Sequence, residues 1–136
     1  MTLDTVEKVA AYCRVSTREQ ADGGFSIPMQ QEMTRDWCED NLHCDYALSI
    51  FADEGYSGKL GWQPPQDGRS SYRPELARLA DEIESGNIDR ATVFRLDRLA
   101  RSMSIAATFL EKRIAAHDVA FTSFRENIDY CSTEGK

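Results

Sequence analysis

The chain lacks most of what would mark a membrane-bound, secreted or metal-dependent protein. No apolar run approaches the ~20 residues needed to cross a bilayer, and the N-terminus MTLDTVEKVAAYC has neither a basic start nor a long apolar centre. The expected location is cytoplasmic, with no membrane partner. The four cysteines, Cys13, Cys38, Cys44 and Cys131, form no C-x-x-C pair. Cys38, His43 and Cys44 are close in sequence, but neither of the two histidines adds a ligand at zinc-finger spacing, so reduced structural thiols are expected and no metal. There is no G-x-x-x-x-G-K-[ST] loop and no C-x5-R signature, and no cofactor is expected. A surplus of cations is missing too, since the net charge is −7, which on its face argues against strong nucleic-acid binding.

The charge is unevenly placed. Residues 1–68 hold 5 cations against 12 carboxylates, whereas residues 69–136 hold 11 of each. Arginine clusters in the second half can therefore engage phosphate locally, while bulk steering toward DNA has to come from elsewhere. With 136 residues, 41% hydrophobic and 29% charged, the composition is that of one globular domain with one core.

Hydrophobic patterning predicts alternating strands and helices. The run Val9 to Val15 reads as a buried strand and YALSIFAD, 46 to 53, as a second. Between them, SIPMQQEMTRDWCEDNL has an N-cap in Ser26, a proline in its first turn, and Met29, Met33 and Trp37 at i, i+4, i+8, which predicts a helix with those three side chains in the core. The Gly-, Pro- and Ser-rich segment 54–72 shows no period and is expected to be a long functional or mobile loop. Within it, Tyr56 and Ser57 are expected at the border of a site, and Trp62, Pro64 and Pro65 against a partner or the domain's own surface. RPELARLADEIESGN predicts a helix with Pro74 in its first turn, Leu76, Leu79, Ala80 and Ile83 on one face, and Gly86 just past its end. ATVFRL is expected to be a third strand, residues 97–118 a long helix with Ile105, Phe109 and Leu110 inward, VAFTSF a fourth strand, and the remainder a polar tail.

This alternation implies the α/β class: a mostly parallel four- to five-stranded sheet flanked by helices. Ligands of such sheets collect at the carboxyl ends of the strands, which here brings Arg14 to Ser16 near Arg95 to Arg101. In AAYCRVSTREQ, Arg14 and Ser16 fall on one face of a strand, so an arginine can hold an anion beside a hydroxyl nucleophile. In FRLDRLARS, a helical turn starting at Asp97 would put Arg98 and Arg101 at i, i+3 on one face. Arginine suits phosphate because its planar fork donates two hydrogen bonds at once and keeps its charge. The bland reading of D-R-x-x-R alone is a solvated, salt-bridged helix start.

Taken together and in order, YCRVSTREQ, SIPMQQ, LDRLARS and ENIDYCSTEGK resemble the catalytic domain of the serine recombinases, the resolvase/invertase family, over essentially the whole chain. The spacing before SIPMQQ and the loop carrying DEGYSG are more similar to the large serine recombinases, which include phage integrases and transposon recombinases. The resemblance implies that Ser16 is the nucleophile that attacks a DNA phosphodiester, releasing a 3′-hydroxyl and forming a 5′-phosphoserine. It implies that Arg14, Arg98 and Arg101 contact the scissile phosphate and that Asp97 orients an arginine or takes part in proton transfer. It further implies that Gln30 supports the nucleophile region and that Arg73 is another active-site arginine; Arg95 carries no definite role.

No histidine lies near either motif to serve as general base. Asp97 is the only carboxylate in LDRLARS, and the arginines could lower the hydroxyl's pKa by charge alone. The implied reaction is strand cleavage and rejoining without ATP or metal, on double-stranded DNA bound by the full-length protein, within a homodimer or homotetramer. In that family the region after STEGK continues into a long dimerisation helix and DNA-binding domains, so residues 1–136 read as a truncated catalytic domain that binds DNA poorly alone. Two other readings stand beside this one: a regulatory or oligomerisation module that keeps the fold without catalysis, and another phosphate-handling enzyme on a similar sheet.

Overall fold

The structure, a computed structural model, describes residues 6–15, 26–42, 45–55 and 72–130. One five-stranded sheet runs in the order β2-β1-β3-β4-β5, formed by β1 (Val6–Val15), β2 (Asp45–Glu54), β3 (Arg90–Val93), β4 (Ala120–Ser123) and β5 (Ile128–Tyr130). The first four strands are mutually parallel and β5 is antiparallel to β4. The mostly parallel sheet predicted from the alternation is the one observed.

β1 is an interior strand, and its unbroken buried run from Val9 to Val15 follows from helices covering both faces. On one face Ala10 and Tyr12 join the main core with Leu76, Leu79, Ala80 and Ile83 of α2 (Pro74–Glu84), Leu99, Phe109 and Ile114. On the other, Ala11, Cys13 and Val15 meet Ile27 of α1 (Ile27–Asn41). Gly86 follows α2 at φ +80°, the left-handed conformation glycine adopts without strain.

Three expectations are corrected. α1 buries Ile27, Gln30, Thr34 and Cys38 rather than Met29, Met33 and Trp37. Its rotation is set by Gln30, which hydrogen-bonds the β1 backbone, and by Ile27 against the sheet; Met33 is left 38% exposed and Trp37 only half-buried.

The helix expected over 97–118 is broken. A single turn, α3 (Leu96–Leu99), stops at Ala100, whose φ −167°, ψ 148° is extended, and α4 (Met103–Phe109) restarts with the Ser102 Oγ accepting from the Ile105 amide at 3.3 Å. α4 then passes through a π-helical turn, Leu110–Ile114, and a 3-10 turn, Ala115–His117. Ile105, Phe109 and Leu110 do face the core as expected.

The segment after β4 is not wholly a polar tail, because a turn over 124–127 with Asn127 at φ 59° returns the chain as β5.

Arg90 ties the far end of the sheet together. Its side chain donates to Glu7 Oε2 at 2.8 Å, Asp129 Oδ1 at 2.8 Å and Thr122 Oγ1 at 2.7 Å, and its guanidinium lies 5.0 Å from the Trp37 ring centroid. Partners on β1, β4, β5 and α1 thus compensate a charge whose side chain is 10% exposed. Among the described residues no helix is long and apolar enough to cross a membrane.

Candidate active site

β1 leads to β2 on one side, and β3 then returns to the other side of β1, which makes the carboxyl ends of β1 and β3 the switch point of the sheet. Arg14 stands at the end of β1 and the α3 turn follows β3. Arg14 Nε donates to the Arg98 carbonyl at 3.0 Å and its Nη2 to the Asp97 carbonyl at 2.5 Å, while Arg98 Nη1 donates back to the Arg14 carbonyl at 2.8 Å. Arg73, the residue before α2, donates from Nη1 to the Arg98 carbonyl at 3.3 Å and from Nη2 to the Leu99 carbonyl. The structure thus brings Arg14, Arg73 and Arg98 together around α3.

The shortness of α3 is what allows it. A helix leaves its last carbonyls without amide partners, and their partial negative charge attracts cations. In α3 the carbonyls of Asp97, Arg98 and Leu99 are taken by guanidiniums. All three arginines have no exposed surface. Backbone carbonyls accept from all three guanidiniums, and the Asp97 carboxylate also accepts from Arg98.

Two carboxylates lie nearby. Asp97, its side chain 40% exposed, bonds Arg98 Nε at 3.1 Å and sits 3.2 Å from Arg95 Nε. Asp53 is buried at the end of β2, directly across from Arg14 in the β1–β2 register. It accepts the Tyr12 hydroxyl at 2.7 Å and the Glu75 and Leu76 amides at 3.0 and 3.1 Å, so it caps α2 from another strand because the Arg73 side chain does not. Burial pushes the Tyr12 phenol well above its ordinary value, keeping the proton it donates to Asp53. Burial lowers the Arg73 pKa, opposed by the neighbouring Tyr12 and Asp53. Arg73 Nη1 also reaches the Tyr12 hydroxyl at 3.4 Å.

Gln30 braces the same strand end from the opposite face. Its Oε1 accepts the Arg14 amide and its Nε2 donates to the Arg14 carbonyl, both at 3.2 Å. Arg101 does not share a helical face with Arg98: the break at Ala100 leaves Arg98 buried and Arg101 exposed. Ser16 follows Val15, the last residue of β1, and lies outside the described residues, as do Tyr56, Ser57, Trp62, Pro64, Pro65, His43, Cys44 and Cys131. Among the described residues no group of three or more His, Cys, Asp or Glu side chains is placed to hold a metal.

Tyr12 and Asp53 were not singled out in the sequence. Tyr12 precedes Arg14 by two positions and so shares its face, and Asp53 is a lone carboxylate in the apolar run SIFAD, where an acid needs a partner.

Fold and site together define an α/β domain with a cationic knot at the carboxyl ends of its strands. Residues 9–136 match the family described as Resolvase, N terminal domain. A Bacillus subtilis (strain 168) protein named "Putative DNA recombinase" is 36% identical over 95 residues, which is 70% of this chain and 16% of that protein. The "Uncharacterized immunity region protein 3" of Bacillus phage phi105 is 34% identical over 86 residues, 63% of this chain and 90% of that protein. The solved N-terminal catalytic domain of TP901-1 integrase superposes with a TM-score of 0.74 at 32% identity, covering 90% of this chain and 82% of that one. The chain belongs to the resolvase family, with the fold of the serine recombinase catalytic domains.

Proposed function

We propose that this chain is the catalytic domain of a site-specific DNA recombinase, in which Ser16 attacks a DNA phosphodiester. The Ser16 Oγ forms the new bond to phosphorus, the bond to the 3′ oxygen breaks, and the departing oxygen leaves as a 3′-hydroxyl carrying a proton. One phosphoester replaces another, so rejoining is the same step reversed and requires no nucleotide hydrolysis. The observation that carries this reading is the knot of Arg14, Arg73 and Arg98 at the end of the strand that runs straight into Ser16.

Phosphoryl transfer gathers negative charge on the non-bridging oxygens, and preorganised cations are the main means of stabilising it. Arg101, exposed at the rim, meets the phosphate first. Arg14 reaches it as its oxygens take the place of the Asp97 and Arg98 carbonyls, and Arg98 as they take the place of the Arg14 carbonyl. Gln30 holds the β1 terminus at Arg14 in place. Asp97 orients Arg98.

DNA approaches from the strand ends. The flanking helices expose Glu32, Asp36, Glu39 and Asp40 on α1 and Asp81 and Glu84 on α2, which repel a polyanion. Affinity for double-stranded DNA therefore comes from other parts of a longer recombinase, acting in the cytoplasm as a homodimer or homotetramer of which residues 1–136 form the catalytic domain.

One observation favours the second reading, a regulatory module that keeps the fold without catalysis: the three arginines are fully buried, with donors already engaged. Covalent trapping separates the two. The full-length recombinase is incubated with a nicked suicide substrate beside its Ser16→Ala variant. A DNA-linked peptide containing Ser16, absent from the variant, is expected. No adduct on DNA that the protein demonstrably binds would establish the regulatory reading.

A further inference from the structure

The segment ENIDYC contributes nothing to the chemistry described so far, yet its first residue touches the turn that bears Asp97 and Arg98. Arg95 occupies the N-cap of α3 and offers no side-chain acceptor there. The Leu96 amide, the first donor of that turn, is met instead by Glu126, whose Oε1 and Oε2 each lie 3.2 Å away. Ser123, buried at the end of β4, donates its hydroxyl to Glu126 Oε1. The backbone adds two more links, from the Phe124 amide to the Val93 carbonyl at 3.2 Å and from the Arg125 amide to the Phe94 carbonyl at 2.9 Å.

We infer that Glu126 is a positioning residue, a cap supplied by the β4–β5 turn that fixes the start of α3 and so the aim of Asp97 and Arg98. A four-residue turn has too few internal hydrogen bonds to hold itself, because forming the first turn fixes several dihedrals for one bond. β3 holds its entrance, the arginines hold its last carbonyls, and Glu126 holds its first amide. Arg98 enters the crevice two residues beyond that amide, so a loosened entrance lets the guanidinium wander from the Arg14 carbonyl. A shift of ~1 Å in such a group is enough to slow chemistry by roughly a hundredfold. Glu126 is itself exposed, so replacing it leaves the core intact. Its catalytic consequence rests on the recombinase reading; its structural contact does not.

The test uses Glu126→Ala and Glu126→Gln with two readouts. Amide hydrogen exchange on the free protein is expected to be about tenfold faster at Leu96 in Glu126→Ala, as for loss of a cap, with the Ala77 amide in α2 unchanged. In the full-length recombinase, the single-turnover rate of adduct formation at saturating DNA is expected to fall about ten- to a hundredfold in Glu126→Ala. DNA affinity stays the same, and Glu126→Gln, which keeps an acceptor, recovers to within about threefold of the parent. An unchanged Leu96 amide overturns the inference whatever the activity. Faster exchange with an unchanged rate, or equal losses in both variants together with lost affinity, overturns it as well. A parent protein that forms no adduct on DNA it binds overturns the recombinase reading instead, and the Leu96 exchange still judges the contact.

Discussion

Arg14 and Arg98, 84 positions apart in the chain, bind each other's backbone: the Arg98 guanidinium lies 2.8 Å from the Arg14 carbonyl and the Arg14 Nε lies 3.0 Å from the Arg98 carbonyl. The exchange clamps the end of β1 to the turn after β3. The bonds that aim the cations also tie β1 to α3, so the proposed catalysis and local stability share them.

Arg98→Lys keeps a positive charge but cannot form the fork. The Arg14 carbonyl and Asp97 lose their partners at fixed positions, which costs about 1–3 kcal/mol of stability by urea denaturation. Adduct formation falls by about 100- to 1000-fold at saturating DNA. A lysine variant with parental activity would show that point charge alone suffices. Combined with Arg14→Lys, the losses are expected to be non-additive because the two residues share their contacts.

Asp53 serves three donors, and its removal reaches the site through Arg73. Asp53→Ala strips the cap from α2 and the acceptor from the buried Tyr12 hydroxyl, with an expected loss of about 2–4 kcal/mol. Tyr12→Phe leaves both amide contacts and costs only about 1 kcal/mol. Chemical denaturation of the two singles and the double measures the coupling. Equal costs for the two singles would contradict the capping role.

Cys13 sets a pH dependence. Burial raises its thiol from the ordinary 9.0 to about 12. Between those values the folded chain keeps a proton that the unfolded chain gives up, so the stabilisation present below pH 9 is lost as pH rises through that window. Urea midpoints at pH 7.5 and 10 are expected to fall further apart in the parent than in Cys13→Ala. The same burial keeps Cys13 slow to alkylate at pH 8 until the protein unfolds. An identical pH response in parent and variant would remove Cys13 as a source of the effect.

Much of the domain was legible before any coordinates. The buried character of Val9 to Val15, the apolar face of α2, its proline start and glycine stop, and the alternation that makes the sheet parallel are all local patterns, and each was observed. The ordered motifs led to the family that residues 9–136 match. Less legible were features that depend on competition between distant groups. The Met29, Met33 and Trp37 stripe is the more hydrophobic face of α1, yet the helix is turned by Gln30, whose amide finds both of its partners on the β1 backbone. Residues 97–118 have a helical period, but the carbonyls that would continue that helix are claimed by Arg14 and Arg73, so the chain breaks at Ala100.

The sequence by itself determined which residues could carry charge and a nucleophile, and that their strands would end on one edge, because alternation and periodicity act over a few residues. Only the tertiary structure decided that Asp53 would cap a helix that starts some twenty residues later, that Glu126 would sit on Leu96, and that Arg98 and Arg101 would part company. Hydrogen bonds form wherever a buried donor meets an acceptor, and for these residues the partners come together only once the sheet is assembled.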